Sequence, residues 1–260
     1  MGIASNMRRT AAVLGIAALA AMVSAGAIAA PAEKPEKREW PFDGIFGTVD
    51  RASAQRGLQV YLEVCAACHS LKQVSYRNLG ALGFSEAEVK AIAAGFDVTD
   101  GPDSDGEMFE RPAIPSDRFV SPFANEEAAK AANNGANPPD LSLQVKAHPG
   151  GADYIHAVLT GYIDPPADVE VPAGSNYNPF FPGGIIAMPP PLFEDGVEYA
   201  DGTPATVEQM ATDVVNFMQW AAEPEMEQRK KTGFKVVIFL IILSALLYAG
   251  KRKMWANIDH

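Results

Sequence analysis

Two cysteines three positions apart, followed at once by a histidine, constrain this chain more than any other feature: Cys65-Ala66-Ala67-Cys68-His69. On a helix, positions i and i+3 share one face, so both sulfurs can reach a common partner. The spacing with the trailing histidine is that of a c-type haem attachment site. Both thiols would form thioethers with the porphyrin, and His69 would offer its imidazole to the iron. A redox dithiol of the thioredoxin kind and half of a structural zinc site are the competing readings. Zinc wants more thiolates, yet the chain has only these two cysteines, and its other histidines are His148, His156 and His260. A redox dithiol does not need His69 and belongs in a βαβ setting, which the neighbouring sequence lacks.

The absence of further cysteines excludes structural disulfides, so packing and the covalent cofactor must hold an exported fold. Export is expected. Residues 1–29 read as a signal peptide, with Arg8 and Arg9, an apolar stretch from Ala11 to Val23 and the small-x-small site Ala27-Ile28-Ala29. Near the other end, Phe234 to Gly250 is a 17-residue apolar segment, about 25 Å long as a helix. Basic clusters Arg229-Lys230-Lys231 and Lys251-Arg252-Lys253 flank it, with Tyr248 and Trp255 near one end. A transmembrane anchor over 232–250 is the reading, against a buried core helix. The basic clusters nearly balance and give no orientation; the cleaved signal does, placing a haem domain, 30–231, in the periplasm and a tail, 251–260, in the cytoplasm.

The formal charge of the chain is -11. The expected external part carries 15 Lys and Arg against 31 Asp and Glu. Such a surface repels nucleic acid and favours a basic protein partner.

The sequence predicts a mainly α fold. A first helix capped by Ser53 carries Leu58, Tyr61, Leu62 and Cys65 on one face, and Gly57 within it points to a close helix crossing. Ser85 and Glu88 form a capping box for a helix ending at Gly95. Residues 97–110 read as an irregular acidic loop, either solvated or part of a docking surface. Short helices are expected over 125–134 and 152–160, and a long proline-rich loop over 164–204, positioned to wrap a haem. A last helix opens at Thr206 with Gln209 completing a second box, stops by Pro224, and should cross the first through Val207, Met210, Val214, Phe217, Met218 and Ala221.

One histidine leaves the sixth iron ligand to be chosen, and that ligand sets the chemistry. Met210 and Met218 lie on a core stripe. Met188 follows Gly183-Gly184-Ile185-Ile186-Ala187 and precedes Pro189-Pro190-Pro191, a run with little conformational freedom to lose. Met188 is the choice, with Met108 and His156 as the alternatives. With both axial positions filled, the chain moves electrons. With the distal side open it would be a haem enzyme or sensor, and a third possibility is a membrane-anchored monohaem cytochrome serving another oxidase or reductase.

Laid out in order, these segments closely resemble the cytochrome c1 family, the haem subunits of cytochrome bc1 complexes, in its alphaproteobacterial form. The resemblance covers nearly the whole expected mature chain. It rests on Arg56-Gly57-Leu58-Gln59-Val60-Tyr61 ahead of Val64-Cys65-Ala66-Ala67-Cys68-His69-Ser70-Leu71, on Asp100-Gly101-Pro102 with Asp105-Gly106-Glu107-Met108-Phe109, and on Arg111-Pro112. Ala131-Ala132-Asn133-Asn134-Gly135-Ala136-Asn137-Pro138-Pro139-Asp140-Leu141-Ser142, Leu159-Thr160-Gly161-Tyr162, Asn178-Pro179-Phe180-Phe181-Pro182-Gly183 and Ala187-Met188-Pro189-Pro190-Pro191-Leu192 continue it. The resemblance implies a class I cytochrome c-like haem domain with long loops and one C-terminal transmembrane helix. It implies one haem c on Cys65 and Cys68, His69 and Met188 as axial ligands, Arg111 near a haem propionate, and Asn133, Pro138 and Pro139 lining the pocket. The implied partners are cytochrome b, the Rieske iron-sulfur protein as electron donor and a soluble basic cytochrome c as acceptor. Two departures stand out. Arg118 replaces an aromatic residue of mitochondrial members, and the extra cysteine pair of some bacterial members is absent.

Overall fold

In a computed structural model, residues 32–257 are described; the expected signal peptide, 1–29, lies outside them. Helix α1 spans Arg51–Val60. Its N-cap is Asp50, whose side chain accepts from the Ser53 amide at 3.1 Å, so the expected cap at Ser53 is corrected. Ser53 is the third residue of the helix and buried, and its hydroxyl serves another helix instead. Beyond Val60 the coil widens into one π-helical turn, Tyr61–Cys65, closed by the Ala66 amide on the Tyr61 carbonyl at 2.7 Å. Such turns interrupt a helix most often at functional positions.

A 3-10 helix, Tyr76–Leu82, leads to α2, Glu86–Ala94. The expected capping box at Ser85 and Glu88 is present on both sides, and Gly95 is the C-cap. The acidic segment after it is more ordered than its sequence suggested. Strands β1, Asp97–Asp100, and β2, Phe109–Pro112, pair antiparallel, with Val98 opposite Arg111. Helix α3 covers Glu126–Ala132, capped by the Asn125 side chain on the Ala128 amide. It is followed by Asn134 and Gly135 in left-handed conformation. After the short α4, Gln144–Ala147, comes α5, Gly151–Thr160. The proline-rich stretch that follows is irregular except for two-residue strands β3, Asn176–Tyr177, and β4, Ile185–Ile186, which pair antiparallel.

Helix α6, Val207–Ala222, is capped by Thr206, which accepts from the Gln209 amide at 3.1 Å. The expected second box is only half formed, because the Gln209 amide group turns to Asp213 at 3.0 Å. Helix α6 crosses α1 as the glycine predicted. A Cβ on Gly57 would stand 2.0 Å from the Asp213 carbonyl oxygen and 2.8 Å from the Phe217 Cβ. Around the crossing lies the main core, with Tyr61 against Phe217 at 5.7 Å and Tyr76 stacked on Phe119 at 4.5 Å between ring centres. Inside it sits a polar cluster. Asp213 is fully buried; it accepts from Arg56 Nε at 2.9 Å, from Ser53 Oγ at 2.7 Å and from Gln209, and Asn216 donates to Ser53 Oγ at 2.9 Å. A buried charge persists only when paired and hydrogen-bonded in this way.

Helix α7, Met226–Trp255, runs 30 residues. No residue of its most apolar stretch is buried by the protein, which removes the core-helix reading and fits a membrane anchor. A smaller apolar cluster forms under the proline-rich loop from Tyr154, Val158 and Ile186, with Tyr162, Phe180, Phe181 and Met188 against it. The fold is thus mainly helical with long irregular connections and one apolar C-terminal helix, as the sequence predicts.

Candidate haem-binding site

The site begins where α1 ends. The π turn delivers Cys65, and one further turn closes behind it as the amides of Cys68 and His69 donate to the Cys65 carbonyl at 3.1 and 2.8 Å. Both thiols and the imidazole therefore arise within five residues of one coil. Cys65 is half-buried and Cys68 exposed. Burial, with the neighbouring Cys68 adding to it, pushes the Cys65 thiol up to about 12. A redox dithiol works through a depressed thiol pKa, so this environment speaks against that alternative. A zinc site is also unsupported: among the described residues no group of three or more His, Cys, Asp or Glu is placed to hold a metal ion.

Two strands of loop zip together beside the motif. Asp140 accepts from Ser70 Oγ and the Lys72 amide, each at 2.8 Å, and from the Ser142 amide at 2.9 Å. The Leu141 amide returns a bond to the Ser70 carbonyl at 2.9 Å, and the Tyr61 hydroxyl donates to the His69 carbonyl at 3.1 Å. Burial works to raise the Asp140 carboxyl pKa, but the bonds from Ser142, Lys72 and Ser70 outweigh it and hold it below the usual range.

The product of that zipper is the orientation of His69. Its Nδ1 lies 2.8 Å from the Pro139 carbonyl oxygen. A carbonyl can only accept, so Nδ1 carries the proton and Nε2 keeps its lone pair. Burial lowers the His69 pKa against the opposing pull of Pro139 and Asp140, which favours the neutral ring that a metal requires. This tethering of the distal nitrogen is how a ligating histidine is usually aimed.

Met188 is held from elsewhere. Its carbonyl oxygen accepts from the Tyr162 hydroxyl at 3.1 Å and from Asn176 Nδ2 at 3.3 Å. Asn178, fully buried, ties the same loop to α5 through the Val158 carbonyl at 2.8 Å. The half-buried Met188 side chain rests on the small apolar cluster. Among the described residues no hydrogen bond joins the Met188 loop to His69. Of the alternatives, Met108 is exposed in the acidic loop. His156 is buried, its ring edge-on to Trp40 and its Nε2 3.4 Å from Glu208.

The other expected site residues divide. Pro139 meets His69 directly, as above, and the half-buried Pro138 precedes it in the same segment. Asn133 is the C-cap residue of α3, its Nδ2 on the Ala129 carbonyl at 2.7 Å. Arg111 donates to Asp100 at 2.5 Å and to both oxygens of Asp117 at 2.7 and 3.2 Å. Asp117 and Asp100 raise the Arg111 pKa, and Arg111 holds both carboxyls below their usual range. Its guanidinium thereby pins the β1–β2 hairpin to the turn at Asp117. Asp140 and Tyr61, which orient the motif, escaped the sequence reading as site residues; the alternation of Asp140 and Ser142 around Leu141 was the one available signal.

A neutral imidazole with one nitrogen free, two thiols a turn apart and a thioether on a constrained loop are a soft nitrogen and sulfur set. That set fits an iron porphyrin.

A family model described as the Cytochrome C1 family matches residues 40–258. Among curated proteins, "Cytochrome c1 1, heme protein, mitochondrial" of Arabidopsis thaliana is 52% identical over 244 residues, 94% of this chain and 79% of that protein. Cytochrome c1 of Rhodospirillum rubrum is 48% identical, covering 86% of this chain and 88% of the relative. The "Cytochrome b-c1 complex catalytic subunit, mitochondrial" of Candida albicans is 53% identical over 87% of this chain and 79% of its own.

Proposed function

The chain belongs to the cytochrome c1 family, and on that premise we propose that it is the haem subunit of a bc1 complex, a quinol:cytochrome c oxidoreductase in a respiratory or photosynthetic chain. It carries single electrons from the Rieske iron-sulfur protein to a soluble basic cytochrome c, beside cytochrome b, and turns over no substrate of its own. One haem c bound here supplies a one-electron Fe(III)/Fe(II) couple.

The chain's own residues do the rest. Cys65 and Cys68 would hold the macrocycle through thioethers. His69 presents Nε2 because Pro139 occupies Nδ1 at 2.8 Å; this bond is the observation that carries the reading. Met188 would offer its thioether to the iron from a loop whose backbone is fixed by Tyr162 and Asn176. Arg111, held between Asp100 and Asp117, would lie near a propionate as a charge partner, and Asn133, Pro138 and Pro139 would line the haem pocket. With His69 and Met188 both given to the iron, no position would be left for a substrate, so the group would serve outer-sphere electron transfer, and a thioether ligand would favour a high potential. The acidic outer surface draws a basic carrier.

In this reading the haem domain, 30–231, stands in the periplasm behind a cleaved signal, 1–29. The anchor, 232–250, crosses the inner membrane of a proton-translocating complex, and 251–260 lie in the cytoplasm. Purification of the membrane complex tests it. The expected result is a covalently coloured polypeptide that co-purifies with a quinol-oxidising cytochrome b and whose reduced spectrum ignores CO. A high-spin, CO-binding pigment, or one that travels without a cytochrome b, overturns it.

A further inference from the structure

A short turn at the foot of the haem domain shows two large apolar side chains to the outside. In Trp40-Pro41-Phe42-Asp43-Gly44-Ile45-Phe46-Gly47, Trp40 and Phe42 are buried, while Ile45 and Phe46 are 71% and 72% exposed. Exposure of this kind commonly belongs to a loose loop, but this loop is built tightly. The Thr48 amide donates to the Pro41 carbonyl and the Asp43 amide to the Trp40 carbonyl, each at 3.0 Å. Gly44 takes a left-handed conformation, and a Cβ on Gly47 would fall 2.0 Å from the Asp43 carbonyl oxygen. Lys230, in the second turn of α7, closes the loop from below, its ammonium donating to the Phe42 carbonyl at 2.6 Å and the Gly47 carbonyl at 3.1 Å.

The loop is thereby fixed in height along α7. Phe46 meets Phe234 edge to face, ring centres 5.7 Å apart. Phe234 is the first residue of the apolar segment and lies four positions beyond Lys230, about 6 Å along the helix axis. Lys231 and Lys235 are exposed at the same level, where cationic side chains meet phosphate headgroups, and aromatic rings concentrate at that boundary. Two side chains make too small a patch for a protein interface, which takes roughly 800 Å² per partner. They suit a lipid surface, where buried apolar area and nearby positive charge add.

We infer that the Asp43–Gly47 turn inserts Ile45 and Phe46 into the outer lipid interface, giving the haem domain a second point of membrane contact beside α7. Through Lys230 this contact fixes the tilt of the domain over its anchor, where a helix alone would leave a swivel. The inference rests on reading α7 as a membrane span.

The test uses the whole complex in vesicles of phosphatidylcholine and phosphatidylglycerol, with ordinary or dibrominated acyl chains. A bimane label is placed in turn at Ile45→Cys, at Ser104→Cys in the exposed acidic loop, and at Ile241→Cys in the span. The Ile45 label should lose emission in brominated vesicles and resist iodide from the water, as the Ile241 label does, while the Ser104 label does the reverse. If Ile45 follows Ser104 while Ile241 stays quenched by bromine, the loop stands in water and the inference fails alone. Shielding of Ile45 from both quenchers means that a protein surface covers it, which also refutes lipid contact. Loss of bromine quenching at Ile241 overturns the span and the inference together. Should Ile45→Cys fail to assemble, Phe46→Cys carries the same label through the same comparisons.

Discussion

Gly57→Ala separates two arguments that predict opposite signs. By helix propensity alone, alanine in the interior of α1 stabilises by about 1 kcal/mol over glycine. By packing, the added Cβ would stand 2.0 Å from the Asp213 carbonyl oxygen, 2.5 Å from its carbon and 2.8 Å from the Phe217 Cβ. Ordinary contacts of this kind lie near 3.5 to 4 Å, so the helices must part by more than an ångström. Neither helix can yield alone. Asp213 is held by Arg56, Ser53 and Gln209, and Phe217 packs on Tyr61 and Trp220. Overpacking of a well-filled core costs roughly 1–3 kcal/mol, and disturbing the buried carboxylate bonds adds about 1 kcal/mol or more. After subtracting the propensity gain, the net loss is about 2 kcal/mol.

For a domain of this size that corresponds to a fall in Tm of roughly 4–8 °C. The assay is denaturation of the detergent-solubilised holoprotein, followed in parallel by far-ultraviolet circular dichroism and by absorption of the haem. Because α1 leads directly into Cys65, the two probes should shift together. An unchanged or raised midpoint would mean that propensity prevails and that the crossing is not the rigid joint described above.

Four further outcomes follow from the same geometry. Asp213→Ala should cost about 3 kcal/mol, because Arg56 and Ser53 lose a fully buried partner; equilibrium denaturation that finds under 1 kcal/mol would contradict it. Cys65→Ala combined with Cys68→Ala should leave no haem on the polypeptide after denaturing extraction, and retained colour would refute the attachment. Met188→Leu should keep the haem covalent and lower its reduction potential, since the thioether that raises it is gone; a redox titration that overlays the native one would remove Met188 from the iron. Reduction of a basic soluble cytochrome should slow as ionic strength rises, since salt screens attraction between exposed charges, and a rate indifferent to salt would discard electrostatic docking.

What the sequence disclosed was what one coil or one turn contains. The Ser85 box, the Thr206 cap and the glycine at the crossing are local patterns, and each sits where the reading put it. The failures are just as physical. Asp50 and Ser53 are both good N-caps, and the choice between them falls to Asp213, 160 positions away, which takes the Ser53 hydroxyl. The β1–β2 hairpin was hidden because its residues do not alternate in polarity. It is held by Arg111 bridging Asp100 and Asp117 rather than by a buried face. Gln209 fits a capping box by pattern, yet a buried carboxylate attracts its amide more strongly than an exposed helix end does.

The same distinction explains how the haem site is assembled. Five consecutive residues supply both thiols and the imidazole, but nothing within them aims the ring. Aim comes from Pro139, seventy positions on, whose carbonyl is fixed because Asp140 and Leu141 are stitched to Ser70 and Lys72. The motif itself is fixed because α1 is locked against α6 at Gly57 and through Asp213. A change at either lock should therefore act on the His69 ring at a distance, loosening the direction of Nε2 without touching His69 or Met188. Redox properties and stability should consequently vary together for substitutions at Gly57 and Asp213, whereas at Met188 the potential should move with the fold left nearly intact.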